Sequence, residues 1–363
     1  MNKPSRRSRG TVTIEDVAQA AGVSAMTVSR VINKEKNVRD KTRDRVQKAI
    51  KELNYSPNMA ARSLAAGDAT HIGLLYSNPS AAYLSQFLVG ALDGARKNGI
   101  HLVIESCEGE DEAAQSQAAR HIAAADVEGV VLPPPLSESV AILTELALSE
   151  TPVVTVAMGK LYESALNVRI DDFAAAAEMT NYLINLGHRR IALIKGHPQQ
   201  IASAERERGF RAAVNAAGLD PADIAVEQGF FTFRSGLEAA EKLLDRPNRP
   251  TAIFASNDDM AAAVVSVAHR RGLDVPRDLS VVGFDDTAPA TTVWPELTTI
   301  RQPVEEMADA ALDLLLAEVR SRRHGLPPAP AERVLDHELI VRESSGPPPK
   351  LTQQSSRTKA RPA

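Results

Sequence analysis

Residues 22–33 read GVSAMTVSRVIN, and this stretch decides how the N-terminal part of the chain folds. Gly22 suits the left-handed conformation that ends a helix and Ser24 is a good N-cap for the next, so only Val23 separates the two. Upstream, Thr13 with Asp16 predicts a capping box in which Asp replaces the usual Glu, and Ile14, Val17, Ala18 and Ala21 share one helical face. Downstream, a third helix is expected beyond Asp40, with Val46, Ala49, Ile50 and Leu53 at helical spacing. Two short helices joined by so tight a turn form a helix-turn-helix, whose second helix matches a DNA major groove about 12 Å wide. In the quoted helix Val28, Val31 and Ile32 face the small core, which leaves the outer face free. Ala25 and Met26, at its N-terminal end, are the candidates for base contact, chiefly with thymine methyls. Thr27, Ser29 and Asn33 suit phosphate oxygens, and Arg30 suits guanine or a phosphate. The plainer alternative is a polar surface on a small helical domain.

Charge points the same way. The whole sequence of 363 residues has a net charge of −4, from 42 Lys and Arg against 46 Asp and Glu. Residues 1–67 hold 14 of the cations and 6 of the anions, hence +8, which leaves −12 on the remainder. A basic head on an acidic body fits a head that meets a polyanion while the body stays off it. Apolar residues at 44% and charged residues at 24% are those of a globular protein, and no apolar run approaches the roughly 20 residues of a membrane helix. The basic start MNKPSRRSRG is not followed by the apolar segment of a secretory signal, and the single cysteine, Cys107, has no thiol partner. The expected compartment is the cytoplasm, with no membrane partner.

Residues 13–65, TIEDVAQAAGVSAMTVSRVINKEKNVRDKTRDRVQKAIKELNYSPNMAARSLA, resemble the head of lac-repressor (LacI/GalR) family transcription regulators almost without gaps, and further family marks recur at LTTIRQP (297–303) and near 333–342. The resemblance implies a sequence-specific regulator, read as a repressor, that acts as a homodimer on near-palindromic double-stranded DNA. By itself the alanine-rich MAARSLAAG is too short to hold a helix in water and reads as a flexible linker. The resemblance instead implies a hinge helix formed on DNA, with Leu64 wedged into the minor groove and Asn58 and Arg62 near phosphates. Thr13, Ser24 and Tyr55 complete the expected DNA contacts. The expected division is a disordered basic tail at 1–10, a helix-turn-helix domain at 11–57, a hinge at 58–69, an effector-binding and dimerisation body at 70–342, and a disordered tail at 343–363.

From residue 70 short apolar strands alternate with helical segments, as in HIGLLYS (71–77), HLVIES (101–106), GVVLPP (129–134) and PVVTVA (152–157). A second set follows: RIALIKG (190–196), VEQGFF (226–231), TAIFASN (251–257) and SVVGFDD (281–286). The fold class expected is therefore an all-α head plus a two-lobe α/β body of two doubly wound parallel sheets, which the resemblance identifies as similar to type I periplasmic binding proteins. Lobe one is expected at about 70–168 and 303–331 and lobe two at about 169–300 and 332–342, with crossings near 168–170, 297–303 and 331–333. The amphipathic segment 305–322 is expected to pack in lobe one.

By resemblance, Arg206, Asn257 and Asp285 match positions that hydrogen-bond the effector, Phe231 an aromatic wall and Gln302 a crossover residue; Tyr76, Asn78 and Tyr83 are candidates from lobe one. A carboxylate, a guanidinium, amides and an aromatic face suit a neutral polyol such as a mono- or oligosaccharide. Asn257 or Asp258 has the alternative role of helix cap, which is also the reading preferred for Asp171. The Asp pairs 171/172, 258/259 and 285/286 do not make a glycosidase, because sequence neighbours at a strand end point in different directions. No enzyme activity, metal or cofactor is expected, and His188 in LGHRRI reads as structural. The alternative function is a sugar-binding protein without a DNA role. Whether the effector induces or corepresses stays open, with induction by a sugar favoured.

Overall fold

The structure, a computed structural model, describes residues 13–32, 38–53, 70–77, 79–109, 111–159 and 165–349. It divides into a unit before residue 70 and a unit from Thr70 onward.

The first unit holds α1 (Ile14–Ala21), α2 (Ala25–Ile32) and α3 (Asp40–Glu52). Thr13 and Asp16 make the predicted capping box: Thr13 N donates to Asp16 Oδ2 at 2.8 Å, and Asp16 N to Thr13 Oγ1 at 3.3 Å. Gly22 closes α1 at φ 62° and ψ 43°, a left-handed conformation that costs glycine nothing. Val17, Val28 and Val46, one from each helix, are fully buried, with Ala18, Ala21, Val31 and Ala49 beside them. So small a core fixes the angle between the helices and little more.

In the second unit, lobe one contains β1 (Thr70–Tyr76), α4 (Ala81–Asn98), β2 (Ile100–Ser106), α5 (Glu112–Ala123), β3 (Gly129–Leu132), α6 (Val140–Leu148), β4 (Val153–Val156) and β5 (Leu166–Arg169). Lobe two contains α7 (Asp172–Asn185), β6 (Ile191–Lys195), α8 (Ile201–Ala216), β7 (Ile224–Gln228), α9 (Phe233–Leu244), β8 (Ala252–Ala255), α10 (Asp258–Arg270), β9 (Ser280–Asp285), α11 (Ala288–Thr292) and β10 (Thr298–Arg301). The chain returns to lobe one for α12 (Val304–His324) and β11 (Glu332–Val334), then ends in lobe two with β12 (Glu338–Ile340). Each lobe has a six-stranded sheet, in the orders β11-β5-β4-β3-β1-β2 and β12-β10-β9-β8-β6-β7. All pairings are parallel except β10 with β12. The order reverses beside β1 in one sheet and beside β6 in the other, and such reversals open a crevice at the carboxyl ends of strands.

Two expectations need correction. The third crossing does not lie at 331–333, because Glu332–Val334 pair with Asn167–Arg169 in the first sheet; the chain crosses at 335–337. Nor is the chain disordered from 343. Ser344 is fully buried with its Oγ donating to Val281 O at 2.5 Å, and Gly346 O accepts from Ser280 Oγ at 3.0 Å and faces His188 Nε2 at 2.8 Å. Proline-rich composition disguised a segment in which Glu343, Ser344 and Gly346 bond to lobe two through their backbones. His188, also bonded to Thr251 Oγ1, is structural as expected.

The predicted amphipathic helix is α12, whose Met307, Leu312, Leu314, Leu315 and Leu316 are buried in lobe one. It lies so close to α4 that a Cβ on Gly90 would sit 2.3 Å from Glu305 O. Gly90→Ala should therefore force the two helices apart and destabilise the body by about 1–3 kcal/mol, measured by denaturant unfolding.

Candidate DNA interface and effector cleft

In the first unit, Ser24 caps α2: Thr27 N donates to Ser24 Oγ at 3.3 Å, and the two hydroxyls lie 2.9 Å apart. Both hydroxyls thus serve the helix start. Met26 is 66% exposed, whereas Ala25 is half-buried and packs partly on the domain's own core. Ser29 is half-buried and Arg30 exposed on the same helix. Of the other expected contacts, Asn33, Tyr55, Asn58, Arg62 and Leu64 lie outside the described residues, as does Asn78 of the expected effector set.

In the second unit the segments that follow the strands converge on a cleft with about 450 Å³ of empty space. Lobe one contributes Pro79, Ser80 and Tyr83 after β1, Pro134 after β3 and Ala157 after β4. Lobe two contributes Gln200, Ala202 and Arg206 at the head of α8, Phe231 after β7, Asn257 after β8 and Asp285 at the end of β9. Gln302, in the crossing after β10, completes the wall. Arg206, Phe231, Asn257, Asp285, Gln302 and Tyr83 are thus brought together as the sequence implied. Tyr76 is not among them; it ends β1 half-buried, and the chain turns into the cleft only after it.

Arg206 organises the floor. Its Nε donates to Asp172 Oδ1 at 2.8 Å, its Nη1 to Ser256 O at 2.5 Å, and its guanidinium lies 3.6 Å from the centre of the Phe284 ring. Asp285 Oδ1 is 3.8 Å from Nη1 and accepts from Gln302 Nε2 at 2.6 Å. Burial lifts the Asp285 carboxyl from 3.8 to about 7, against the opposing pull of Arg206 and Gln302. Its backbone has φ 107° and that of Asp286 φ 57°, two consecutive non-glycine residues in the left-handed half of the map, a strain that aims the carboxyl at the cleft. Asn257 is the cap of α10 as the alternative reading had it: its Oδ1 accepts from Met260 N and its Nδ2 donates to Phe231 O, each at 3.0 Å. Asp171 caps α7 through Ala174 N at 2.9 Å.

Among the described residues, Tyr83 Oη and Gln302 Oε1 are buried side-chain atoms without a hydrogen-bond partner, and both belong to cleft residues. A buried unpaired polar atom costs about 1–3 kcal/mol, so these two mark where a ligand's donors and acceptors would be most rewarded. Sequence reasoning missed Asp172, Ser80 and Gln200. Asp172 had a signal, as the second member of an Asp pair ahead of a helix, but nothing local ties it to an arginine at 206.

A helix-turn-helix in one unit and a two-lobe α/β fold with a cleft in the other define a class: DNA-binding regulators built on a small-molecule-binding body. The pattern described as "Bacterial regulatory proteins, lacI family" matches residues 13–58, and "Periplasmic binding protein-like domain" matches residues 180–345. The chain is 36% identical over 337 residues to the HTH-type transcriptional regulator DegA of Bacillus subtilis (strain 168), covering 92% of this chain and 98% of that one. Among solved structures it is similar to the transcriptional regulator CelR-cellobiose complex, with TM-score 0.69 and 32% identity over 92% of this chain and 100% of the other. It is also similar to the lac repressor dimer bound to operator and the anti-inducer ONPF, with TM-score 0.68 and 29% identity over 93% and 100% of the two chains. The chain belongs to the lacI family of bacterial regulatory proteins and is a DNA-binding regulator of transcription. Neither an enzyme nor a sugar-binding protein without a DNA role fits this membership. No helix among the described residues is long and apolar enough to cross a membrane.

Two substitutions test the floor of the cleft. Asp172→Ala removes the nearer of the two carboxyl groups beside a buried guanidinium and should cost the body about 3–5 kcal/mol in urea unfolding. Asp285 behaves differently because its carboxyl is raised in the folded state. Its contribution to stability is whole below 3.8 and lost as pH rises through about 7. Asp285→Asn, neutral at every pH, should match the native protein only below about pH 3.8 and gain on it by about 2–4 kcal/mol between pH 4 and pH 8.

Proposed function

We propose that the protein is a cytoplasmic, homodimeric repressor whose hold on a near-palindromic operator is set by a neutral polyhydroxylated effector, a mono- or oligosaccharide, bound between the lobes. The supporting observation is the make-up of the cleft. The Asp285 carboxyl can accept from ligand hydroxyls, Gln302 Oε1 and Tyr83 Oη have no protein partner, and the buried Phe231 ring offers a flat apolar face of the kind a sugar ring stacks on. The likeness to a regulator complexed with cellobiose and to an operator-bound repressor dimer supports the same reading.

Charge narrows the ligand further. The one cation among the described residues of the cleft wall, Arg206, is committed to Asp172, Ser256 O and the Phe284 ring. Around it stand Asp172, Asp259, Asp285 and Glu138, each with its carboxyl raised by burial, so the site already disfavours negative charge and a phosphorylated or carboxylated ligand would be disfavoured with it. On the DNA side, Met26 supplies the exposed apolar contact and Ala25 a half-buried one. Thr27, Ser29 and Arg30 lie on the same helix for phosphates and bases, with Thr13 and Ser24 at helix starts.

Thermal-shift titration checks the effector class. Cellobiose, ribose or another neutral sugar should raise the melting temperature, with about 2.7 kcal/mol of stabilisation at a hundred times Kd, whereas glucose 6-phosphate should leave it unchanged. A phosphorylated sugar that bound better than every neutral one would reverse the assignment. Gel shifts against the promoter beside the gene test the DNA role. Met26→Ala should lose about 1–3 kcal/mol at the operator with non-specific binding kept. Asp285→Ala should bind the operator normally and ignore the effector.

A further inference from the structure

Helix α8 starts at Ile201, and its N-cap residue, Gln200, makes no side-chain cap bond; Gln200 is buried in the cleft wall instead. The cap comes from the other lobe. Glu138 ends the turn Leu136–Glu138 between β3 and α6, and both its oxygens accept from Ile201 N, at 3.0 and 2.9 Å. The Ile201 side chain presses on lobe one at the same place, where a Cβ on Gly159 would lie 2.2 Å from Ile201 Cγ2. Two more bonds join the lobes around the cleft: Ser80 Oγ donates to Asp259 Oδ2 at 2.6 Å, and Gln86 Nε2 donates to Asp286 O at 3.2 Å.

We propose that Glu138 is a latch, a capping carboxyl group that lobe one supplies to helix α8 of lobe two, and that it sets how far the cleft is closed before any effector arrives. A helix N-terminus holds unpaired N–H groups and the positive end of the helix dipole, so a carboxyl oxygen on the first amide is favourable there. This contact exists only while the lobes are together; opening returns both partners to water. Gln200 and Ala202, the neighbours of Ile201, line the pocket, so the latch bears on the residues an effector would touch. The inference rests on the cleft being the effector site, but its test uses no ligand, so it can fail independently of that reading.

Protonation modulates the latch. Burial lifts the Glu138 carboxyl from 4.5 to about 7, with the Ile201 bond opposing the rise and the Asp172 charge adding to it. Among neighbouring charged groups, Arg206, one turn beyond Ile201, is tied to Asp172, and the His197 ring in the loop before α8 accepts from Gln199 N. On its own lobe the adjacent Ser137 and Ser139 carry no charge. An open cleft returns Glu138 to water and its usual value near 4.5. Closure therefore takes up a proton: the help from Glu138 is whole below 4.5 and lost as pH rises through about 7, which changes the closed-to-open ratio about tenfold between pH 6 and pH 8.

Hydrogen exchange of the full chain without ligand, read by mass spectrometry and corrected for intrinsic rates, tests this. Glu138→Ala should lose protection about tenfold at pH 6, both at 199–204 and at the remote cleft segments 80–84 and 257–261. Glu138→Gln keeps a neutral acceptor; it should be at least as protected as the native chain at pH 6 and lack about tenfold of the further loss the native chain shows at pH 8. The pH dependence left in that variant is assigned to the other buried carboxyls around the cleft, Asp172, Asp259 and Asp285. Faster exchange confined to 199–204 would make Glu138 a local cap only and overturn the proposal, as would native pH dependence in Glu138→Gln. Should Glu138→Ala fail to fold, the Glu138→Gln comparison decides alone.

Discussion

The body depends on one buried guanidinium. Taking an arginine out of water costs several kcal/mol unless charge and hydrogen bonds replace the solvent, and Arg206 finds all its replacements on different elements. Asp172 begins α7, Ser256 follows β8, and Phe284 and Asp285 end β9, so satisfying one side chain fixes three strand-to-helix junctions relative to α8. Those junctions are the lobe-two wall of the cleft. Behind them, Asp258 accepts from Thr287 N, Thr287 Oγ1 and Thr299 Oγ1, which ties α10 to the segments after β9 and along β10. Gly283 is required there, since a Cβ would lie 2.2 Å from Asp258 Oδ1. The polar interior is therefore a frame, and the cleft surface takes its shape from it.

The head works on the opposite principle. Its core is a few valines and alanines, and its polar groups are spent on helix starts: Thr13 with Asp16, and Ser24 with Thr27. Little is buried, so little resists reshaping of the outer face of α2, and Met26 stays exposed at a position where a soluble protein gains nothing from it alone. Under the proposed role, α2 reads the major groove and DNA supplies the burial that Met26 lacks in the free chain. The +8 charge of residues 1–67 gives the encounter its range, while the −12 on the rest keeps the body from competing for the same phosphates.

What could be read from the sequence was what is encoded locally. The capping box, Gly22, the three valines and the runs of apolar strands each depend on residues a few positions apart, and each is found where the spacing put it. The cleft residues after the strands were legible through the family's motifs, because a strand end in an open α/β sheet faces the crevice whatever the side chain. Contacts between distant segments were not legible. Asp172 meets Arg206, Ser80 meets Asp259 and Glu138 meets Ile201 across separations with no periodic signature. The last residues misled for a related reason: SGPPP has the composition of a loose tail, but Ser344 and Gly346 fill hydrogen-bonding sites left by Val281, Ser280 and His188. Composition reports what a segment does alone, whereas these residues are ordered by what waits for them in lobe two.

Closing the lobes leaves a defined set of polar groups short of partners. Tyr83 Oη and Gln302 Oε1 are buried and unpaired, and burial lifts the Asp285 and Glu138 carboxyls both to about 7. At about 1–3 kcal/mol for each unsatisfied buried group, a ligand that supplies hydroxyls to two of them favours the closed cleft by a few kcal/mol. Coupling energies between allosteric sites are typically about 1–3 kcal/mol, so under the proposed effector role satisfying these few atoms would be sufficient to bias the cleft. A ligand of equal size without hydroxyls would fill the same space and leave the deficit in place. It would gain only the apolar burial that closure offers, so its preference for the closed state would be smaller by that deficit.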